Sequence, residues 1–269
     1  MFTTIITDCH KGNEANRVIT RFNSLGLGPA SLLGVSSNLG VNPTIEGGAN
    51  LVDVLDASGG QRGVVFLNVA PRGNSRDGKN GTRFSYFYHG DTLVISTVKD
   101  YCLSFVREFS VAKTINIVEL PDVLAFAVRA KLIETGLAKY IIDSQFRSFD
   151  FVPRLAKWLL DGKHIPSSFK PIDARMPHAC VWCIDAFGNV KTTIDSQDLN
   201  LKPLGNVKTN LGRFTYYSRL KDVPFGETAI YTGSSGIFEN RFLELATQGV
   251  PGSITKKLKI KLGDYIEIE

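Results

Sequence analysis

Hydrophobic and polar residues along the first 160 positions alternate between a strand pattern and a helix pattern. The runs at 2–7 and 31–36 predict short strands, and the stretch at 15–25 between them has the spacing of an amphipathic helix. A second helical pattern at 45–55 is followed by an almost continuous apolar run at 64–69, as expected of a strand buried on both faces of a parallel sheet. This order of strand, helix, strand, helix and strand is typical of βαβ units.

The chain between position 70 and position 177 predicts a hairpin, two helices and a linker. A polar, glycine-rich loop leads into 84–88 and 90–97, which predict the two strands of a hairpin. The spacing at 120–135 and at 147–160 favours helices. Three prolines, two serines and little periodicity at 162–177 indicate an interdomain linker.

After position 178 the pattern changes to short apolar or alternating runs separated by glycine and asparagine. The predicted strands lie at 179–184, 190–194, 213–217, 227–232 and 254–268. Only 238–247 has the pattern of a helix. Many short strands with turn signals favour a small sandwich or barrel.

These patterns predict an α/β + β fold class with two domains. The N-terminal α/β domain, with a mainly parallel central sheet, is expected at 1–161, the linker at 162–177 and a small C-terminal β-barrel domain at 178–269.

Composition and charge bear on two classes of protein, disordered chains and nucleic-acid-binding proteins. Of the 269 residues 43% are hydrophobic, which is enough apolar material for a packed core and excludes a disordered chain. The net charge of +5 comes from dispersed basic residues, and the lysines at 256–261 alternate with apolar residues, as on the solvent face of a strand. Charge of this size is typical of ordinary soluble proteins and argues against a nucleic-acid partner. A nucleic-acid binder built on the basic surface and the small barrel stays an alternative, for which the barrel alone is only analogy.

Several patterns point to the cytoplasm. The sequence contains no basic segment followed by an apolar run, the pattern that marks a signal peptide. No stretch approaches the ~20 apolar residues of a membrane span. Four cysteines without a secretory signal suggest reduced thiols. Cys180 and Cys183 form a single CxxC that lacks two further zinc ligands, so we expect two buried strand cysteines on opposite faces and no metal site.

Three short motifs carry candidate chemistry. Asp8 ends the first predicted strand. Ligands of parallel sheets bind beyond the carboxyl ends of the strands, which makes Asp8 a candidate ligand-binding residue. A carboxylate at this position is equally suited to cap a helix. The sequence IDAFGNVKTTI, at 184–194, contains a glycine–asparagine step that fits a turn between strands. The GSSG sequence at 233–236 offers N–H and hydroxyl groups for a carboxylate, but flexible linkers have the same composition.

In order and spacing these motifs resemble the S-adenosylmethionine (SAM) hydroxide adenosyltransferases, the adenosine-forming SAM hydrolases related to fluorinase and chlorinase. The resemblance spans nearly the whole chain and is strongest in the C-terminal third, where IDAFGNVKTTI, DVPFGETAIYTGSSG and LGDYIEI follow in the family's order. It implies an α/β domain followed by a small barrel, a homotrimer, and SAM bound between the N-terminal domain of one subunit and the C-terminal domain of its neighbour. It also implies that water or a halide, with water expected here, displaces methionine at the ribose 5′ carbon without a metal, and with no cofactor beyond SAM itself.

The resemblance assigns substrate-binding roles to named residues. Asp8 would hold the ribose hydroxyls and Asp185 the methionine ammonium, because a charged group that leaves water needs an opposite partner. The hydroxyl of Ser234, with Ser235 beside it, would receive the methionine carboxylate. Phe187 and Asn189 would shape the purine and methionine pocket.

The water-activating residues of the family are largely replaced. Ala70 stands where the family has an aspartate, and Arg76 or Arg72 would be the family's arginine. Glu119 falls close to the position of the family's histidine. Three interpretations follow. The first is a divergent hydrolase or transferase that uses Glu119 or Arg76 with a different nucleophile. The others are a degenerate homologue that binds SAM or a related nucleoside without cleaving it, and a protein for an unrelated ligand.

Overall fold

The computed structural model describes residues 1–36, 40–70 and 82–269. They form a mixed α/β structure with a seven-stranded and a six-stranded sheet. Among these residues, no helix is long and apolar enough to cross a lipid bilayer.

The first sheet contains the predicted parallel strands and the predicted hairpin. Its strands are β1 (Phe2–Thr7), β2 (Ala30–Gly34), β3 (Gly63–Asn68), β4 (Phe84–His89), β5 (Thr92–Thr97), β6 (Thr114–Val118) and β7 (Ser168–Pro171). Their order is β2-β1-β3-β5-β4-β6-β7, in which β2, β1, β3 and β5 are parallel. Strand β4 is antiparallel to both β5 and β6, so β6 runs in the same direction as β5. The carboxyl ends of five strands therefore lie at one edge of this sheet.

In the described residues, seven helices accompany the first sheet. They are α1 (Asn13–Ser24), α2 (Pro43–Ser58), α3 (Ser104–Glu108), α4 (Leu120–Arg129), α5 (Thr135–Asp143), α6 (Arg147–Asp150) and α7 (Val152–Leu160). Helices α2 and α3 pack on one face, and α1, α4, α5 and α7 pack on the other. In β3, Val65 and Leu67 face the first group while Val64 and Phe66 face the second, which confirms that this apolar run is buried on both faces. The segment 162–177 includes β7, which pairs with β6.

The second sheet is open. It contains β8 (Val181–Ile184), β9 (Val190–Asp195), β10 (Asn206–Thr209), β11 (Gly212–Tyr217), β12 (Thr228–Ile237) and β13 (Asn240–Thr247) in the order β10-β11-β12-β13-β9-β8, followed by helix α8 (Ser253–Leu258). The barrel predicted from the sequence is not confirmed, because no closed ladder forms in the described part of the chain. The C-terminal segment instead makes one isolated bridge near each edge, Cys180 with Tyr265 and Thr209 with Ile268.

Two elements of the second sheet differ from the sequence-based prediction. The segment 238–247 is strand β13 rather than a helix. Phe242 faces the core of the first sheet, whereas Leu243 and Leu245 face the core of the second sheet. Because both faces of the strand are buried, its sequence lacks the alternation of apolar and polar residues that marks a strand. The segment 254–268 begins as helix α8 rather than a strand, with Ile254 buried and Leu258 one turn later packed against the same core.

The two cysteines of the CxxC sequence do not lie on opposite faces. The pairing of β8 with β9 shifts in register between Val181 and Cys183, which inserts an irregularity between them. Cys180 and Cys183 both pack against the core beneath α2 as a result.

Contacts between α2 and the β12–β13 hairpin join the two sheets. The Asp53 carboxylate accepts a hydrogen bond from the Gly236 N–H at 2.6 Å. Arg241 donates to both carboxylate oxygens of Asp56, at 2.9 and 3.1 Å. A cluster of aromatic rings fills the space beside these polar contacts; its members are Phe105, Phe109, Trp182 and Phe242.

Candidate ligand site at the carboxyl edge of the first sheet

Asp8 lies at the carboxyl edge of the first sheet, directly after β1. Its Oδ2 atom accepts a hydrogen bond from the Ala70 N–H at 3.1 Å, so the carboxylate spans the ends of the neighbouring strands β1 and β3. The side chain is partly buried, and desolvation by burial raises the pKa of Asp8 above its ordinary value. The hydrogen bond from Ala70 opposes this rise without cancelling it. Asp8 is therefore a half-buried carboxylate at the edge where parallel sheets bind ligands.

Polar groups surround Asp8 at this edge. The Thr7 hydroxyl accepts hydrogen bonds from the Cys9 N–H at 3.0 Å and from the Asn68 side-chain amide at 3.2 Å. From helix α2, Glu46 accepts the Ser36 N–H at 3.0 Å, and burial raises the pKa of this carboxyl as well. Sequence reasoning did not select Asn68 or Glu46, although a polar residue that ends an apolar strand was available as a signal.

His10 is the second titratable group near Asp8. Its ring packs on Gly34 so closely that a Cβ added there would lie 2.5 Å from the imidazole Cγ. The Nδ1 atom of His10 is buried and has no hydrogen-bond partner among residues 1–36, 40–70 and 82–269. The charge of His10 favours ionisation of the nearby Asp8. His10 is therefore held against Gly34 with its Nδ1 atom shielded from solvent.

A pocket of about 560 Å³ lies beyond β5, and the residues that line it do not include Asp8. Its walls are the segment after β5, the side of β6 and the segment 171–175, and its floor is apolar, with Val98, Ile115 and Ile117. Lys99 and Asp100 form an ion pair at 3.2 Å on its rim. The volume is in the range of small-molecule sites.

Buried Cys102 packs against the ends of β3 and β5. Its thiol lies 3.5 Å from both the Thr97 hydroxyl and the Val69 carbonyl oxygen. Burial raises the pKa of Cys102 to about 12, and the charges of both Asp100 and Asp8 act in the same direction. The thiol is therefore protonated at neutral pH, so Cys102 is a packing residue between two carboxylates rather than a nucleophile.

Glu119 lies at the same edge but is separated from Asp8. It follows β6 and forms an ion pair with Arg83 at 3.2 Å, in which both side chains are about half exposed or more. Strands β3, β5 and β4 stand between β1 and β6, so four strand spacings of roughly 4.8 Å separate the two ends. Arg72 and Arg76 lie outside the described residues. The structure therefore does not bring Glu119 together with Asp8.

Asp185, Phe187 and Asn189 form one tight turn between β8 and β9. The Asp185 Oδ1 atom accepts the N–H groups of Phe187 and Asn189 at 2.8 and 2.9 Å, and Oδ2 accepts the Asn189 side-chain amide at 2.9 Å. The Phe187 ring is 65% exposed, which is unusual for a large apolar side chain. The carboxylate thus fixes a turn that presents an aromatic ring to solvent.

Ser234 and Ser235 lie in an irregular part of β12, where the pairing with β13 shifts between Thr232 and Gly236. Ser234 is exposed, whereas the Ser235 hydroxyl is buried and accepts a hydrogen bond from Lys191 Nζ at 2.5 Å. The sequence-based assignment grouped the two serines, but the fold separates them into a surface and an interior residue.

A buried carboxylate, Glu244, lies between the Asp185 turn and Ser235. It accepts the Tyr231 hydroxyl at 2.8 Å and faces Lys191 Nζ at 3.9 Å, while its Oε1 atom has no hydrogen-bond partner in the described residues. Burial raises the pKa of Glu244, and the negative charge of Asp185 adds to this rise. Sequence reasoning missed Glu244 because it was assigned to an amphipathic helix.

Within one chain the predicted substrate-binding residues fall into two groups. Asp8 belongs to the edge of the first sheet, and Asp185, Phe187, Asn189 and the serines belong to the second sheet. No hydrogen bond or ion pair links the two groups in the described parts of the chain. Within those parts there is also no cluster of three or more histidine, cysteine, aspartate or glutamate residues that could hold a metal ion.

Comparisons with known proteins identify the fold. No protein-family model and no curated protein matches the sequence. The structure is similar to an uncharacterized conserved protein from Thermotoga maritima, at 19% identity and a TM-score of 0.65 with 99% of each chain covered. It is also similar to a conserved hypothetical protein from Thermus thermophilus, at 17% identity and a TM-score of 0.56, with 100% of this chain and 99% of the other covered. Similarity at these identities shows a shared fold along the whole chain.

Proposed function

We propose that this protein binds SAM as a member of the adenosine-forming SAM hydrolase class, with Asp8 as the ribose-binding carboxylate. The observation that carries the proposal is the half-buried Asp8 at the carboxyl edge of the parallel strands, where it accepts the Ala70 N–H. A carboxylate in this environment accepts two adjacent ribose hydroxyls in one charge-assisted contact.

In the proposed reaction, water attacks the ribose 5′ carbon as the bond from that carbon to sulfur breaks. Methionine leaves with the electron pair, and the attacking water loses a proton, which gives adenosine and methionine. A sulfonium is already a good leaving group, so the protein contributes mainly alignment and desolvation.

The remaining contacts of SAM are assigned to the second sheet. Asp185 would receive the ammonium, Ser234 the carboxylate, and the exposed Phe187 ring a face of the purine. Because Asp8 and this group are not linked within one chain, we propose that the site forms between subunits of a homotrimer. The exposure of Phe187 supports an arrangement in which another surface covers it.

A second candidate function is binding of SAM or a related nucleoside without cleavage. Two observations favour it: Ala70 contributes only a backbone N–H beside Asp8, and Glu119 is held in an ion pair with Arg83 four strands away. Neither residue supplies a base next to Asp8, and loss of groups that act together lowers rates by orders of magnitude.

Mass spectrometry after ultrafiltration of the protein with SAM tests both functions. We expect retained SAM in the wild type and at least about tenfold weaker retention in Asp8→Ala, because the ribose hydroxyls lose a charged acceptor. Adenosine and methionine in the filtrate would identify the hydrolase, and intact SAM alone would identify the binding protein. Asp91→Ala, in the exposed β4–β5 turn, is the matched control and should retain SAM normally. Equal retention by Asp8→Ala, or none by the wild type, would overturn the proposal.

A further inference from the structure

A groove of about 420 Å³ runs along the outer face of α1, on the opposite side of the first sheet from α2. Arg17 and Arg21, one helical turn apart, lie over the same Phe149 ring, with their guanidinium carbons 4.5 and 4.3 Å from its centroid. Phe149 itself stacks on Phe146 at 5.5 Å and 22°. Both guanidinium groups therefore rest against an aromatic ring, with Arg17 exposed to solvent and Arg21 partly buried.

These arginines lack acidic partners. Neither Arg17 nor Arg21 forms a salt bridge in the described residues, and Arg154 lies close enough to Arg21 for the two charges to repel. Arg154 donates to the backbone oxygen of Asp150 at 2.5 Å, while the Asp150 carboxylate accepts the Ser144 hydroxyl at 2.5 Å. Two cations thus share the Phe149 ring, and neither forms an ion pair with a carboxylate in the part of the chain that the structure describes.

The other residues that line the groove are neutral hydrogen-bonding side chains. They are Asn13, Asn16, Thr20 and Ser24. Arginine together with asparagine, threonine and serine is the set of side chains that contacts phosphate and sugar oxygens. A planar guanidinium also offers a face on which a base can stack.

We propose that this groove, the α1 arginine groove, is a phosphate-binding site for nucleotide ligands. Arg17 and Arg21 contact phosphate oxygens, and the asparagine, threonine and serine side chains contact the sugar. SAM carries no phosphate, so the groove is separate from the site proposed for SAM. The test must distinguish two sources of the same chemistry, a free nucleotide and single-stranded RNA.

The experiment measures binding of ATP by calorimetry and of a fluorescein-labelled twelve-nucleotide oligouridylate by anisotropy. We expect Arg17→Gln/Arg21→Gln to weaken binding of the ligand that the wild type prefers by at least about tenfold, because two charge-assisted contacts are lost. If that ligand is RNA, the slope of log affinity against log salt concentration should also fall by about 1.4. Arg62→Gln/Arg129→Gln removes the same charge at exposed positions elsewhere and should change affinity less than about twofold.

The result separates the ligand sources and the alternatives. Arginine-dependent binding of ATP alone identifies a free nucleotide, and arginine-dependent binding of the oligouridylate identifies RNA. The proposal is overturned if the wild type binds neither ligand, or if the two double variants lose the same affinity. It is also overturned if a twelve-residue glutamate peptide competes equally strongly. If Arg17→Gln/Arg21→Gln does not fold, Asn16→Asp serves instead, because an added carboxylate in the groove should weaken phosphate binding comparably. Excess SAM should leave the affinity unchanged whether or not SAM binds at Asp8.

Discussion

At the scale of single residues, burial decides how the carboxylates of this protein behave. Asp8, Asp53 and Glu244 all have a raised pKa, and in each case desolvation is the largest cause. The sequence predicted the place of Asp8 because any residue after β1 must lie at the carboxyl edge. It did not predict the burial of Glu244, because burial depends on Lys191 and Tyr231, which are adjacent only in the folded sheet.

The raised pKa of Asp8 predicts an acid-sensitive SAM affinity. The ionised carboxylate accepts the ribose hydroxyls, and burial favours its protonated form, so affinity should fall as the pH decreases through a range above the ordinary aspartate pKa of about 3.9. Calorimetric titration of SAM between about pH 6.5 and pH 4.5 measures the loss. Asp8→Asn should bind weakly with little dependence on pH over this range. An identical pH dependence in Asp8→Asn would assign the effect to another group.

At the scale of elements, local signals explain helix ends well and buried strands poorly. Helix α2 begins with Asn42 as N-cap, whose side chain accepts the Thr44 N–H at 3.0 Å, and with Pro43 in its first turn. It ends at Gly59, which adopts the left-handed conformation. Strand β13 has no such signal, because both of its faces are covered by different cores.

Helix α4 ends less favourably than α2, which predicts a stabilising substitution. Lys131, just after the helix, is exposed and has a φ of 55°, a conformation that glycine adopts without strain. Lys131→Gly should therefore increase the free energy of unfolding by about 0.5–1 kcal/mol, measured by urea denaturation. Lys139→Gly, at an exposed position inside α5, is the matched control and should decrease it by about 1 kcal/mol. A loss of stability in Lys131→Gly would show that the Lys131 side chain stabilises the fold by more than its left-handed backbone conformation destabilises it.

At the scale of the whole molecule, the two sheets are joined by a buried aromatic contact and a polar contact. Phe242 of β13 is fully buried, with ring centroids 5.1 and 5.3 Å from Phe105 and Phe109 of the first sheet's helical layer. Asp53 and Asp56 bind the same hairpin through Gly236 and Arg241. The hairpin is therefore shared between the two cores.

Phe242 should consequently be a major determinant of stability. Phe242→Ala leaves a cavity between the sheets and should lower the free energy of unfolding by about 3–5 kcal/mol, as measured by chemical denaturation. Phe225→Ala removes an equal side chain that is 83% exposed and should change stability by less than about 0.5 kcal/mol. Similar losses in both variants would mean that the aromatic contact does not hold the sheets together.

The sequence by itself determined the elements whose signals are local. The parallel strands, the hairpin, helix α2 and the position of Asp8 follow from periodicity, turn residues and the continuity of apolar runs. The turn at Asp185 follows in the same way, because its carboxylate binds groups two and four residues ahead.

Only the tertiary structure decided what depends on residues distant in the chain. It separated Glu119 from Asp8, because strands β3, β5 and β4 lie between their strands. It buried Glu244 and turned the predicted helix at 238–247 into a strand, because a second core covers its other face. It also brought Phe149, from a distant part of the chain, against Arg17 and Arg21 in one groove. The burial of these residues and the distances between them depend on packing between segments that are far apart in the sequence. No local stretch of sequence therefore predicts them.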